Sequence, residues 1–344
     1  MAAKKTQKGS EDVLYIGIDL GTSRSAVSAS NGRRDWVESY VGWPRDFVAK
    51  KMLGADVLFG EKVMQNRMSL EVIRPLESGV IRDGTPRHEE AVRLLIHHLI
   101  EMASPKEGQK IYAAVGVPAE ALRINKLAIR NATREYADSL MVVSEPFSIA
   151  YGQDTLNHAL IIDIGAGTVD FCIMHGTMPG EEDQRTLTSG GDYIDRLFFD
   201  RLMERYPTAK LSLPLARRFK EENAFVGSDS RRVKVNLTVN GRPDEIDVTD
   251  DLRESCESIL PPIVETVTDL ISRYEPEFQE QVRRNVYVGG GGSQIKNIAK
   301  TLEDMLSEYG SFKITTVDDP LFAGADGALA LARDMPEEYW EDMS

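Results

Sequence analysis

Two aspartates in this sequence close apolar strands just ahead of glycine-bearing turns. Asp163 ends the run Ala159-Leu-Ile-Ile-Asp. After Ile164 come Gly165, Ala166, Gly167 and Thr168, and a second apolar run leaves through Phe171. Asp19 ends a run that begins at Leu14, and Gly21, Thr22 and Ser23 lead into another apolar run ending at Ser28. Each stretch reads as strand, tight turn, strand. A residue without a Cβ lets the backbone bend sharply and approach a ligand, and successive N–H groups in such a turn converge on an anion. The aspartates, with Asp170 beyond the second turn, place carboxylates beside those cradles. Phosphate donors next to cation-seeking carboxylates point to a nucleotide–Mg²⁺ site. Either stretch alone is equally a plain hairpin; it is the recurrence that favours chemistry. A third glycine element, Val286-Tyr-Val followed by Gly289, Gly290, Gly291, Gly292 and Ser293, reads as a strand, a turn and a helix start.

The elements that must hold these turns also recur. After the first hairpin the pattern predicts a strand over 111–118, a helix over 119–136, a strand over 140–144 and a helix from Pro146. After the second it predicts a strand from Val286, a helix over 295–309, a strand over 313–317 and a helix from Pro320. Ligands of open α/β sheets meet the carboxyl ends of strands. Asp19, Asp163 and Glu145 all fall at or just past such ends. Between the repeats, 231–248 alternates as a hairpin turning at Asn240-Gly241. A helix over 251–274 must break or kink at Pro261-Pro262.

The three glycine elements, in this order and with helices between them, resemble the phosphate-1, phosphate-2 and adenosine motifs of the actin, sugar kinase and heat-shock-70 superfamily. The resemblance runs from about Leu14 to Ala332. Ser144-Glu145-Pro146 and Gly176-Thr-Met-Pro-Gly180 are similar to the bacterial actins, in particular to those of the magnetosome cytoskeleton. It implies an α/β actin-like ATPase fold of two related halves, each a five-stranded mixed sheet with helices, around a nucleotide cleft. Residues 1–12 would be a disordered arm. Domain I would span 13–155, with a small outer subdomain at about 35–86 and a completing helix over about 320–344. Domain II would span 156–319, with an outer subdomain at about 207–250.

The resemblance also implies roles. N–H groups of Gly21, Thr22 and Ser23 would hold the β-phosphate side, and those of Gly165, Ala166, Gly167 and Thr168 the γ-phosphate. Asp19 and Asp163 would hold Mg²⁺, through water. Glu145 would orient the attacking water, with Asp163 as its catalytic companion. Gly191 and Asp192 would lie beside the sugar, Lys220 and Glu221 would bracket adenine and ribose, and Gly289 to Ser293 would give the adenine a flat backbone surface. The chain departs from actin at two places: the nearest basic residue to the first turn is Arg24, and Ala166 stands where actin has an aspartate. The implied function is an ATP-hydrolysing, head-to-tail polymerising protein. Its filaments would be cytoplasmic and run alongside magnetosomes. Its partners would be further copies of itself and magnetosome-associated adaptors. A small-molecule kinase or a chaperone-type ATPase of the same superfamily is the alternative.

Composition narrows the classes. The chain has 344 residues, room for two domains. With 41 basic and 55 acidic residues its net charge is −14, which argues against a nucleic-acid surface as its main function. Two cysteines, Cys172 and Cys256, make neither a disulfide framework nor a zinc site. His88, His97 and His98 have no partner set to complete a metal site. Residues 1–12 lack the apolar core of a signal peptide, and no run approaches the roughly 18 apolar residues of a membrane helix, so direct membrane insertion is not expected. Trp43 and Phe47 are expected in the core, with an assembly contact as the alternative, and 61–69 as one helix.

Overall fold

The computed structural model describes residues 12–81 and 86–342. The arm expected over 1–12 lies outside the described residues except for Asp12, whose carbonyl accepts a hydrogen bond from the Lys110 N–H at 3.0 Å. The chain divides into two compact units. Unit one is Met1–Asp154 with Leu321–Ser344, and unit two is Thr155–Pro320.

Unit one is built on strands β1 (Val13–Leu20), β2 (Arg24–Ala29) and β3 (Arg34–Glu38), a small three-stranded sheet of β4 (Val41–Pro44), β5 (Leu58–Phe59) and β6 (Leu70–Ile73), and then β7 (Lys110–Val117) and β8 (Ser139–Ser144). In the main sheet β8, β7, β1, β2 and β3 lie in that order, with β7 and β8 parallel to β1 and the hairpin strands antiparallel. A β-strand alternates its faces. Leu14, Ile16, Ile18 and Leu20 therefore share one side, fully buried in a core with Leu95, Ile96 and Leu99 of the helix Pro86–Met102. The other side is covered by the helix Ala323–Asp334, whose buried residues are mostly Ala and Gly and let it lie close to the sheet.

The main sheet has six strands where five were expected. The helix predicted over about 320–344 ends at Asp334; Met335 is extended (φ −68°, ψ 125°), as the residue before a proline prefers. The chain returns as a two-residue strand, Glu341–Asp342, antiparallel to β8. The helix expected over 61–69 is also shorter. It stops at Gln65, and a 3₁₀ turn covers Arg67–Ser69. Trp43 is buried as expected, but Phe47 is 81% exposed. Phe47 is the first residue of a seven-residue helix capped by the Asp46 side chain, and only Ala49 of that helix is buried.

Unit two carries β9 (Asn157–Ile164), β10 (Val169–His175), β11 (Gln184–Leu187), the separate hairpin β12 (Lys234–Val239) and β13 (Arg242–Asp247), then β14 (Val286–Gly289) and β15 (Ile314–Thr316). Its main sheet has the order β11, β10, β9, β14, β15. A hairpin thus leads on one side and parallel strands follow on the other, as with β2, β1, β7 and β8. The β12–β13 turn has φ 51° at Asn240 and 76° at Gly241, the two positive values an Asn-Gly hairpin turn needs. The long helix predicted over 251–274 is two: Thr249–Glu257 and Leu260–Ser272. Pro261 and Pro262 lie in the first turn of the second helix, where a missing N–H costs nothing.

Candidate nucleotide-binding turns

In unit one the turn after β1 has its carbonyls occupied from within. Gly21 O accepts from Ser39 Oγ at 2.7 Å, Thr22 O from the Arg74 guanidinium at 3.2 and 3.3 Å, and Ser23 O from the Ser39 N–H at 2.9 Å. In a trans peptide the N–H points opposite to the C=O, and all these peptides are trans. The N–H groups of Thr22 and Ser23 therefore face away from the donors that hold the turn.

Beside it, Asp19 and Glu145 meet. Asp19 lies opposite Gly116 of β7, and β7 continues alongside β8, which delivers Glu145 at the first turn of the helix Glu145–Gly152. Gly116, between them, has no side chain to separate them, and a Cβ built there would come 3.8 Å from Glu145 Cγ. The last helix closes the other side: a Cβ on Gly324 would stand 2.5 Å from Asp19 Oδ2. Burial pushes the Asp19 carboxyl up to about 6, while its hydrogen bond with Glu145 pulls it down.

In unit two the second turn is held the same way by a different element. Gly165 O accepts from the Gly191 N–H at 3.0 Å and Ala166 O from the Asp192 N–H at 2.8 Å. Both donors open the helix Gly191–Arg205. The opposite ends of those two peptides, the N–H groups of Ala166 and Gly167, are turned away from the helix. The Gly165 N–H, expected among the phosphate donors, is spent inside the turn on Thr168 O at 2.9 Å.

Across the sheet, Gly289, Asp163 and Asp170 pair in register, and Asp170 pairs in turn with Thr186 of β11. The glycine-rich segment is pressed onto this row. Gly290 has φ 68°, and a Cβ there would lie 2.3 Å from Asp163 Oδ1 and 2.5 Å from Ile164 O. Ser293 closes the segment by donating its Oγ–H to Gly290 O at 2.7 Å.

Lys220 reaches the same region but is engaged. Its Nζ donates to Gly191 O at 2.9 Å and pairs with Asp195 at 2.7 Å. Arg217 adds bonds to Asp192 and, at 2.8 Å, to Asp195. Glu221, next on the helix Leu213–Asn223, is exposed. A cavity of about 650 Å³ in unit two, lined by Phe225, Arg231 and Arg253 among others, contains none of the expected site residues.

The structure thus gathers Asp19, Gly21, Thr22, Ser23 and Glu145 in unit one. It gathers Asp163, the second turn, Gly191, Asp192, Lys220 and the glycine segment in unit two. Sequence reasoning missed Gly116, Arg217, Thr186 and Gly324. Gly324 carried a signal, because a glycine inside an apolar helical pattern marks a close approach. The donor chemistry suits Mg²⁺. Among the described residues no three His, Cys, Asp or Glu side chains come together as a metal cage. Mg²⁺ needs none, because it takes one or two carboxylates together with phosphate oxygens and water; each unit has one strand-end aspartate beside its turn, Asp19 in unit one and Asp163 in unit two.

Two α/β units, each opening on a hairpin whose turn is held by its carbonyls beside a strand-end aspartate, define the actin-like class of nucleotide-binding proteins. Within that class the chain belongs to the MreB/Mbl protein family, whose profile matches residues 14–338. It is 38% identical over 327 residues to the actin-like protein MamK of Magnetospirillum gryphiswaldense, covering 95% of this chain and 91% of that one. Among solved structures it superposes on a MamK double helical filament with TM-score 0.91 at 37% identity, covering 94% of this chain and 99% of that one. It superposes on a non-polymerising MamK mutant bound to AMPPNP with TM-score 0.75 at 37% identity, with the same coverage.

Proposed function

We propose that this chain binds and hydrolyses ATP and polymerises head-to-tail into cytoplasmic filaments that position magnetosomes through adaptor proteins. The observation that carries the nucleotide reading is the pair of turns whose carbonyls are fixed internally, so that their N–H groups are pre-aimed. The likeness to MamK, solved both as a filament and with AMPPNP bound, supports assembly and the choice of an adenine nucleotide. In this reading 13–155 with the last helix is actin domain I and 156–319 is domain II, with outer subdomains at about 35–86 and 207–250.

Thr22 and Ser23 donate their N–H groups to the β-phosphate side, and Ala166 and Gly167 donate theirs to the γ-phosphate. Gly21, Gly165 and Thr168 shape these turns. Asp19 and Asp163 would hold Mg²⁺ through water, and the ion would offset charge on the phosphates. Glu145 accepts a hydrogen bond from the attacking water and aligns it with the γ-phosphorus. As the new P–O bond forms, the bond from the γ-phosphorus to the β–γ bridging oxygen breaks, leaving ADP and phosphate. Gly191 and Asp192 stand by the sugar, Lys220 holds the helix that presents them, Glu221 flanks the base, and Gly289 to Ser293 form its backbone platform. A contact between unlike faces of successive copies does not close on itself and gives an open filament.

The test is sedimentation and electron microscopy with ATP or ADP, with and without Mg²⁺, beside phosphate release. ATP should give long filaments above a threshold concentration. Monomers or closed dimers under all conditions would defeat the filament reading.

A further inference from the structure

The geometry points to Asp170 as a positioning residue that locks the second phosphate turn from behind through the hydroxyl of Thr168; this rests on the nucleotide reading above. Asp170 lies beyond the turn on β10 and is 1% exposed. Its two oxygens are taken by two hydroxyls: Oδ2 accepts from Thr168 Oγ1 at 2.6 Å, and Oδ1 from Thr186 Oγ1 at 2.6 Å. O–H···O contacts of that length are charge-assisted, and an ionised carboxylate only accepts. Both threonines are therefore donors, and the Thr168 hydroxyl proton points into the protein.

Two consequences follow for the turn. Thr168, itself buried, has no hydroxyl proton to give a phosphate; its side chain anchors the turn. Asp170 also joins the turn to β11, the strand from which the chain runs on to Gly191 and Asp192. Those two residues hold Gly165 O and Ala166 O by their N–H groups. The turn is thus fixed at both ends of one closed circuit, through its last side chain and through its first two carbonyls. Asp170 stands directly opposite Asp163 in register, where like charges repel. Two hydroxyl donors on Asp170 let both carboxylates occupy neighbouring positions, leaving Asp163 as the one turned to the ligand's cation.

The test compares ATP and ADP affinity by calorimetry, in the presence of Mg²⁺, for wild type, Asp170→Ala, Asp170→Asn, Thr168→Val and the double variant Thr168→Val with Asp170→Ala, with thermal melting of each nucleotide-free chain. Losing the anchor should weaken ATP binding about tenfold, the scale of one lost hydrogen bond to a charged group. ADP binding should stay within about twofold, because the turn serves the γ-phosphate. The double variant should be no weaker than Asp170→Ala alone. Asp170→Asn, whose amide still bonds both hydroxyls, should bind ATP within about threefold of wild type. Equal loss of ATP and ADP affinity, multiplying effects in the double variant, or unchanged ATP affinity in Asp170→Ala would each overturn the positioning role. If Asp170→Ala does not fold, Thr186→Val at its half-buried edge position replaces it: a preferential loss of ATP over ADP affinity supports the role, and no change overturns it. A wild-type chain that binds neither nucleotide removes the nucleotide reading itself, which is a separate result.

Discussion

Glu145 gives the sharpest separation of chemistry from assembly, provided the substitution is chosen from its surroundings. The side chain is buried and hydrogen-bonded to Asp19. Alanine would leave a gap and take away that partner, so a slow enzyme could reflect a disturbed Asp19. Glutamine has the same shape, and its amide can donate a hydrogen bond to Asp19. The cost to folding should stay within about 1 kcal/mol, since the shape and the hydrogen bond to Asp19 are both kept. Glutamine lacks the carboxylate that polarises the attacking water, and such transition-state alignment contributes about 2–4 kcal/mol, or roughly 30- to 1,000-fold in rate. Glu145→Gln should therefore bind ATP as wild type does, release phosphate that much more slowly, and form filaments that persist. Phosphate release measured beside light scattering decides it. Normal hydrolysis in Glu145→Gln, or filaments that turn over like wild type, would refute the assignment and move the water-positioning role elsewhere.

Gly290→Ala should be destabilising and should weaken ATP binding: a positive φ costs a residue with a Cβ about 1–2 kcal/mol, and contact with Ile164 O adds to that. Gly241→Ala has φ 76° and nothing within 4 Å of the added carbon, so it should show the backbone cost alone; equal melting shifts for the two would refute the close packing on Asp163. Trp43→Ala should cost about 3–5 kcal/mol of unfolding free energy and Phe47→Ala within about 0.5, read by denaturant titration; comparable losses would contradict their opposite exposures. Removing Mg²⁺ with a chelator should weaken ATP binding in calorimetry, and unchanged affinity would take Asp19 and Asp163 out of the metal role.

What the sequence made legible was what local chemistry decides. The Asn240-Gly241 hairpin, the helix break just ahead of Pro261-Pro262 and the strand-glycine-strand runs around Gly21 and Gly165 are each set by a few neighbouring residues, and each is present. Trp43 and Phe47 looked alike because both are aromatic in a sparse region, and only the facing of a short helix separates them. The sixth strand of unit one is two residues long, too short to carry a period. Asp170 was visible as a carboxylate near the turn, but its partners depend on strand register and on Thr186, sixteen residues away, which no local pattern specifies. Lys220 likewise gave a signal, while its hold on Gly191 O and Asp195 came from helix packing.

The first two amides of the helix Gly191–Arg205 sit at one end of the same peptide dipoles whose other end faces the proposed γ-phosphate. Opening amides of a helix ordinarily lack an intrahelical acceptor and exchange readily with solvent deuterium. Here they depend on the turn for protection, since Gly165 O and Ala166 O are their acceptors. A ligand that draws on the N–H ends polarises the carbonyl ends and strengthens both bonds. Gly191 and Asp192 are therefore built-in reporters of turn occupancy: their deuterium uptake should slow with a triphosphate and recover with a diphosphate, without any label being introduced into the site.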